Sequence, residues 1–367
     1  MTLTPALSSY LDLMRFTAAL AVLLMHMEQD GLYMAWLPLS WFSREAVVAF
    51  FVMSGFIICS TTLHKGRSWR DYAAARAARI YSVAVPAIVF SVCLAWLVPP
   101  QTQVSDATFS NLRPIVLWGV VSSLLFLNES WLNPADLTLN GPYWSLCYEV
   151  WYYILFGAFF FVRGRLRWPV LLGLALVAGP AIMVLLPVWA AGAWLARYGH
   201  TLPVLATPQA ALLWVASVGV VVGINVTDFD VTVRTFLKLW VPGFWRLEGS
   251  QRLLTDYLIG MALLVHIHAF NHLWPALHRW LELWQERLAA LAGFSFTLYL
   301  FHRPITQWWG YAWPNPQQSV LQSVLTAGTI LAMCFAISFV TERRLPAWRR
   351  LFQHALALGQ SSTTARS

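Results

Sequence analysis

Residues Leu11 to Met27 (LDLMRFTAALAVLLMHM) predict a membrane-spanning helix, although they include Asp12, Arg15 and His26. A charged side chain at the centre of a bilayer costs roughly 2.5–3.5 kcal/mol on insertion scales, so ionisable residues inside a span usually have a function. The spacing of Arg15 and His26 returns to within about 20° of the same helix face, with about 16 Å between them along the axis. One face of this helix therefore carries a cation at one depth and an imidazole at another.

The composition predicts an all-α polytopic membrane protein. Of 367 residues, 59% are hydrophobic and 11% are charged, and the mean hydropathy is +0.60, whereas about 25% of residues in soluble domains are charged. Apolar runs of about 20 residues, the length that crosses a bilayer, recur along the chain. We predict ten transmembrane helices, at residues 10–28, 44–63, 80–99, 143–162, 168–186, 187–199, 209–226, 254–270, 289–305 and 319–341.

The distribution of Lys and Arg predicts how these helices are oriented. Basic residues are enriched in the loops on the side of the N-terminus, which places both termini in the cytoplasm by the positive-inside rule. The run Pro114 to Leu127 is too short for a span and is expected on the outside, whereas the basic segment 69–80 is expected along the inner surface. Pro187 is expected to mark a sharp turn between two spans. Residues 1–342 then form the membrane domain, and residues 343–367 form a basic cytoplasmic tail with a disordered end.

Several other kinds of site and partner are not expected. The formal net charge of +8 comes from short loops between spans, so topology explains it better than a nucleic-acid partner does. The four cysteines lie in apolar spans without C-x-x-C spacing, which predicts neither disulfides nor a zinc site. His266, His268 and His272 share no carboxylate or cysteine in their segment, so we expect polar packing and no metal there. The first apolar run lacks a basic leader and a cleavage site, and we expect it to remain as a helix.

With the spans oriented in this way, the ionisable residues in or near them lie at two depths in the membrane, which we call the outer and the inner layer. The outer layer consists of His26, Glu149 and His302. The inner layer contains Arg15, Arg76, Arg79 and Glu342. An imidazole beside a carboxylate forms a general-base pair, because the carboxylate fixes the tautomer and stabilises the imidazolium. Guanidinium groups at the inner face suit a phosphorylated ligand from the cytosol. The two layers predict the transfer of a group between substrates on opposite sides of the membrane.

Structural explanations stay open for these residues when each is taken singly. A membrane histidine often forms a hydrogen bond between helices, and Asp12 can neutralise Arg15 at i, i+3. Arg76 and Arg79 can serve as topology anchors that contact lipid phosphate. Ser54 lies beside a glycine inside a span, where small residues usually permit close helix packing, and no base for a nucleophile is near it in sequence.

Six segments carry a resemblance to a known family. They are Leu11–His26 (LDLMRFTAALAVLLMH), Phe50–Ile58 (FFVMSGFII), Arg76–Arg79 (RAAR), Trp144–Tyr153 (WSLCYEVWYY), Phe294–Ile305 (FSFTLYLFHRPI) and Glu342–Pro346 (ERRLP). Together, and in this order over nearly the full chain, they resemble acyltransferase family 3, the polytopic membrane acyltransferases that modify sugars of bacterial envelope polysaccharides and related glycosides. Two departures are mild: Met14 and Phe16 stand where leucines are more usual, and Arg344 is an extra residue in the closing segment.

The resemblance implies a fold and an activity. It implies ten transmembrane helices, an acyl-CoA donor reached from the cytoplasm, and O-acetylation as the commonest reaction. It also implies functional importance for Arg15, His26, Arg76, Arg79 and Glu149. The chain ends soon after its last predicted span, without the extracytoplasmic hydrolase-like domain that is fused to some relatives. Acyl delivery is therefore expected to be unaided or to use a separate extracytoplasmic partner.

We therefore expect a multi-pass O-acyltransferase of the bacterial inner membrane, with acetyl as the expected acyl group. It would move the group from acyl-CoA to a sugar hydroxyl of an envelope polysaccharide or its lipid-linked precursor, with this glycan and membrane lipid as partners. His26 is the expected base and Glu149 its orienting partner. The CoA phosphates are expected to bind Arg15, Arg76 and Arg79. Further support is expected from Asp12, Ser54, His302 and Glu342. The alternative is a transporter or flippase of a glycan intermediate, which duplicated halves or paired broken helices would favour; neither is visible in the sequence.

Overall fold

The computed structural model describes residues 1, 3–65, 68–97, 113–131, 137, 139–313 and 319–364. Within these residues the chain is helical and contains no strand, which confirms the predicted all-α class. The helices are α1 (Pro5–Gln29), α2 (Ser43–Lys65), α3 (Trp69–Leu97), α4 (Arg113–Leu124), α5 (Tyr143–Phe161), α6 (Arg167–Ala178), α7 (Pro180–Tyr198), α8 (Thr207–Val226), α9 (Phe229–Trp240), α10 (Leu253–Phe270), α11 (Pro275–Leu283), α12 (Gln285–Ala292), α13 (Ser295–Ala312), α14 (Val320–Ser338) and α15 (Leu345–Thr364).

Seven segments of the described chain are long and apolar enough to cross a membrane. They are Pro5–Gln29, Pro38–Leu63, Trp69–Leu97, Pro180–Thr201, Thr207–Val226, Leu253–Phe270 and Val320–Ala357. Several such segments in one chain make this a multi-pass membrane protein. The predicted spans at 143–162, 168–186 and 289–305 do not belong to this set, so ten spans and cytoplasmic termini stay predictions.

Two predicted helix boundaries are wrong. The segment 69–80 is not separate from the span that follows, because α3 runs without a break from Trp69 to Leu97; its first half is rich in alanine, the strongest helix former. Pro187 lies inside α7 and does not mark the turn. The chain turns at Gly179, which adopts a φ of 89° that favours glycine.

The tail that follows the last predicted span is mainly helical. The predicted basic tail includes α15, which ends at Thr364. The ring of Phe352 on this helix lies 5.7 Å from the ring of Tyr81 on α3, measured between centroids. The last part of the predicted disordered end, residues 365–367, lies outside the described residues.

The described chain forms two compact units, and the first comprises Met1–Met25, Leu37–Lys65 and Gly179–Ser295. In this unit α2 and α7 approach closely enough that their backbones nearly touch. A Cβ atom on Gly55 would lie 2.0 Å from the carbonyl oxygen of Trp189, and one on Gly192 would lie 1.9 Å from a backbone carbonyl of α2. Small residues allow such close approach between membrane helices.

The second unit comprises His26–Trp36, Gly66–Ala178 and Phe296–Ser367. In this unit α3 and α5 are joined by a buried hydrogen bond, which the Tyr72 hydroxyl donates to the carbonyl oxygen of Tyr153 at 2.9 Å. Beside this bond lies a cavity of about 640 Å³, lined by α3, α5 and the two residues that follow α4. Most of the candidate residues belong to this unit.

Candidate functional site

His26 and His302 form a hydrogen-bonded pair. Nδ1 of His26, in the last turn of α1, lies 3.0 Å from Nε2 of His302 on α13. The other ring nitrogen of His302, Nδ1, lies 3.0 Å from the carbonyl oxygen of Leu298. The His302 side chain is fully buried. Sequence analysis gave His302 only a supporting role, but the structure places it within hydrogen-bonding distance of His26, the expected base.

The hydrogen bonds assign the tautomers of both rings. A backbone carbonyl only accepts, so Nδ1 of His302 donates to Leu298. In the neutral ring Nε2 of His302 is then the acceptor, and Nδ1 of His26 donates to it. The lone pair of His26 is therefore on Nε2. An imidazole whose tautomer is fixed by the bond at its other nitrogen is suited to accept a proton at that lone pair.

Glu149 is bonded to Tyr153, four residues later on α5. The Tyr153 hydroxyl donates to the Glu149 carboxylate at 2.5 Å, and the guanidinium of Arg76 lies 5.8 Å from the centroid of the Tyr153 ring. Arg76 and Tyr153 both line the cavity between α3 and α5. The carboxylate thus contacts a residue of the cavity wall, which the sequence did not predict.

A row of polar side chains extends from this cavity to the imidazole pair. Ser145, Glu149 and Tyr153 are spaced by four residues and therefore share one face of α5. The Ser145 hydroxyl lies 2.6 Å from the hydroxyl of Tyr299 on α13. The Tyr299 ring centroid lies 6.1 Å from that of His302. We call this set the polar row: Arg76, Tyr153, Glu149, Ser145, Tyr299, His302 and His26.

Arg79, the second arginine of the RAAR segment, has a different environment from Arg76. Its Nη1 lies 2.8 Å from a carboxylate oxygen of Glu342, whose side chain is 2% exposed. The other oxygen of Glu342 accepts hydrogen bonds from the backbone N–H and the hydroxyl of Thr297. The charge of Arg79 is therefore balanced by Glu342, whereas the guanidinium of Arg76 lies in the cavity wall.

The remaining predicted residues belong to the first unit. Arg15 forms an ion pair with Asp12 at 3.0 Å, which agrees with the structural explanation that the sequence left open. Ser54 accepts a hydrogen bond from the Trp189 indole at 3.2 Å, next to the close crossing of α2 and α7. The functional roles expected for Arg15, Asp12 and Ser54 stay predictions.

Sequence analysis missed three members of the polar row. Ser145 and Tyr153 lie one helical turn on either side of Glu149 in the segment WSLCYEVWYY, so helical periodicity offered a signal for them. Tyr299 lies three residues before His302, on the same side of α13. The link between Ser145 and Tyr299 joins residues far apart in the chain, and no local pattern predicts it.

Comparison with known proteins identifies the family. No curated protein and no solved structure matches the chain. A family model described as an acyltransferase domain matches residues 8–343, which is nearly the whole chain. This match includes every residue of the polar row and the ion pair between Arg79 and Glu342. The chain therefore belongs to acyltransferase family 3 and is a membrane acyltransferase.

Proposed function

We propose that the protein is an O-acyltransferase of the bacterial inner membrane, which transfers an acyl group from acyl-CoA to a sugar hydroxyl of an envelope polysaccharide or its lipid-linked precursor. The polar row carries this proposal. It has an imidazole with an assigned lone pair at one end and a cavity with a cation in its wall at the other. An acyl transfer between two substrates needs both features, because one substrate must lose a proton and the other must be held by its charged part.

The donor is assigned to the cavity beside Arg76. Aromatic and aliphatic side chains of α3 and α5 line it, together with Leu125, Phe126 and Val162, and the Arg76 guanidinium is part of its wall. Such a site suits a molecule with a long chain and a phosphate, because guanidinium binds phosphate through two parallel hydrogen bonds. Arg79 is already paired with Glu342, so we assign phosphate binding first to Arg76. The role of Arg79 is to hold α3 in place.

The imidazole pair supplies the chemical step. The acceptor hydroxyl loses its proton to Nε2 of His26 as its oxygen attacks the thioester carbonyl. The carbon–sulfur bond then breaks, the new ester leaves, and the proton returns from His26 to the thiolate of CoA. His302 keeps the lone pair of the neutral His26 ring on Nε2 before and after this proton transfer, because its own Nδ1 is bonded to a backbone carbonyl. Glu149 is the carboxylate of this row, and we assign to it the negative charge that stabilises the imidazolium.

Thiol release by the purified protein tests this proposal. Protein in nanodiscs is given acetyl-CoA or a longer acyl-CoA, with and without a glycan acceptor, and free CoA is measured. We expect turnover by the wild type and by His268→Ala, a control histidine on α10, and turnover about 10²–10⁴-fold slower by His26→Ala. In sealed proteoliposomes, glycan movement across the bilayer without CoA release would support the flippase alternative and overturn the proposal. Mass spectrometry of envelope glycans from a deletion strain identifies the acceptor by a missing acyl group.

A further inference from the structure

A second contact accompanies the imidazole pair. Asp30 lies one helical turn after His26, and its backbone N–H bonds to the His26 carbonyl oxygen at 3.1 Å. Its carboxylate forms an ion pair at 2.6 Å with Arg303, the residue that follows His302. Both side chains are 15% exposed. The end of α1 and the middle of α13 are therefore joined twice within one helical turn, once by imidazoles and once by opposite charges.

The turn of α13 that carries His302 is also held from outside the helix. Pro304 lacks an N–H, so it cannot form the helical hydrogen bond to the carbonyl of Leu300. The side-chain amide of Asn140 donates to that carbonyl at 2.9 Å. Asn140 is 1% exposed. A residue from the segment before α5 thus completes the hydrogen bonding of α13 two residues from His302.

Arg303 has a further partner on α13. With its amide oxygen turned toward the guanidinium, Gln307 accepts a hydrogen bond from Arg303 at 3.0 Å, and its nitrogen donates to the carbonyl of Leu139 at 3.3 Å. Leu139 precedes Asn140, so the segment before α5 contacts α13 on both sides of Pro304. The guanidinium is thereby held in the orientation that its pair with Asp30 needs.

We propose that Asp30, Arg303 and Asn140 are positioning residues for the imidazole pair, because they fix the two helix segments that bring His26 and His302 within hydrogen-bonding distance. The catalytic part of this proposal rests on the proposed function, whereas the geometric part does not. A misplacement of a reacting group by about 1 Å lowers a rate about 100-fold. The three residues should therefore act on turnover and not on donor affinity.

Kinetics of matched variants test the catalytic part. Asp30→Asn keeps the shape of the side chain and loses the charge, and we expect kcat to fall about 10- to 100-fold while KM for acyl-CoA changes less than about twofold. Asp30→Glu should recover part of kcat, and so should the charge exchange Asp30→Arg with Arg303→Asp. Asp230→Asn, which removes the carboxylate that pairs with Arg234 on α9 and with Arg252, is the control and should keep wild-type kcat. A loss of kcat in the control as large as in Asp30→Asn, or no recovery in either rescue variant, overturns the proposal.

Chemical modification of histidine tests the geometric part without any activity. Diethyl pyrocarbonate is applied to the folded protein, and the modified residues are mapped by mass spectrometry. We expect His302 to be protected in the wild type and in Asp230→Asn, and to be modified at least about threefold faster in Asp30→Asn and Asn140→Ala, as the pair opens more often. Unchanged protection in both variants overturns the proposal. If the wild type transfers no acyl group, the proposed function fails, and the protection pattern still decides whether these residues hold the pair.

Discussion

Removal of Arg79 is expected to destabilise the protein more than removal of its partner's charge. The Glu342 carboxylate is 2% exposed and lies 2.8 Å from Arg79, so Arg79→Ala leaves a buried charge without its cation. Loss of one partner of a buried ion pair costs about 3–5 kcal/mol. The Arg79 side chain is 30% exposed, and water replaces part of the lost interaction. We therefore expect the free energy of unfolding to fall by about 3 kcal/mol, the lower end of that range.

Glu342→Gln is expected to lower the free energy of unfolding less than Arg79→Ala does. The amide oxygen still accepts the hydrogen bonds from Thr297, and the remaining guanidinium is accessible to water, so the cost is about 1 kcal/mol. The double variant, Arg79→Ala with Glu342→Gln, leaves no buried charge, so we expect it to lower the free energy of unfolding by about 2 kcal/mol. The sum of the two single costs would be about 4 kcal/mol. The coupling energy is then about 2 kcal/mol, typical of residues in direct contact.

Unfolding by a denaturing detergent in mixed micelles, followed by circular dichroism, measures these costs. Arg349→Ala on α15 is the matched control, since this arginine is exposed and surface substitutions usually change stability by less than about 0.5 kcal/mol. Additive costs in the double variant, or an Arg79→Ala cost as small as that of the control, would refute the reasoning. Either result would return Arg79 to the residues available for donor phosphate.

Four further outcomes are expected. His26→Ala should lower acyl transfer about 10²–10⁴-fold with an unchanged circular dichroism spectrum, and near-normal glycan acylation at matched protein levels would remove this residue from the mechanism. Glu149→Gln should keep the fold and lose most transfer activity, with the remaining activity changed in its pH dependence; a wild-type pH–rate profile would contradict a role beside the imidazoles. Arg76→Ala should weaken acyl-CoA binding in detergent, and Arg76→Lys should restore it only partly, because an ammonium lacks the bidentate fork; equal affinities in all three proteins would favour the topology-anchor explanation. Gly55→Ala should lower the free energy of unfolding by about 1–3 kcal/mol or more, because its Cβ would lie 2.0 Å from a backbone oxygen. Gly173→Ala on α6 is the control, since no atom of a neighbouring element lies within 4 Å of the added Cβ. Equal destabilisation by the two substitutions would contradict the close crossing of α2 and α7.

Local patterns in the sequence were sufficient for the fold class, the membrane location and the family. A run of about 20 apolar residues in lipid has to satisfy its backbone hydrogen bonds internally, so it forms a helix whatever its neighbours are. The six segments that carry the resemblance to the family are also local patterns, because each is a short run of consecutive residues. Helix ends were predicted less well: Pro187 is tolerated within α7, and the alanine-rich start of α3 continues directly into its apolar part.

The pairing of side chains, by contrast, depended on the tertiary structure. His302 is 276 residues from His26 along the chain, and Glu342 is likewise far along the chain from the RAAR segment that it contacts. Sequence analysis placed His26 and Glu149 together by their depth in the predicted spans, and it gave Arg76 and Arg79 the same role. In a membrane, burial of apolar surface does not select which helices meet, since lipid is as apolar as the helix faces; close packing and interhelical hydrogen bonds select them. These are properties of two distant segments at once, so only the folded chain distinguishes the arginine in the cavity wall from the arginine bound to a buried glutamate.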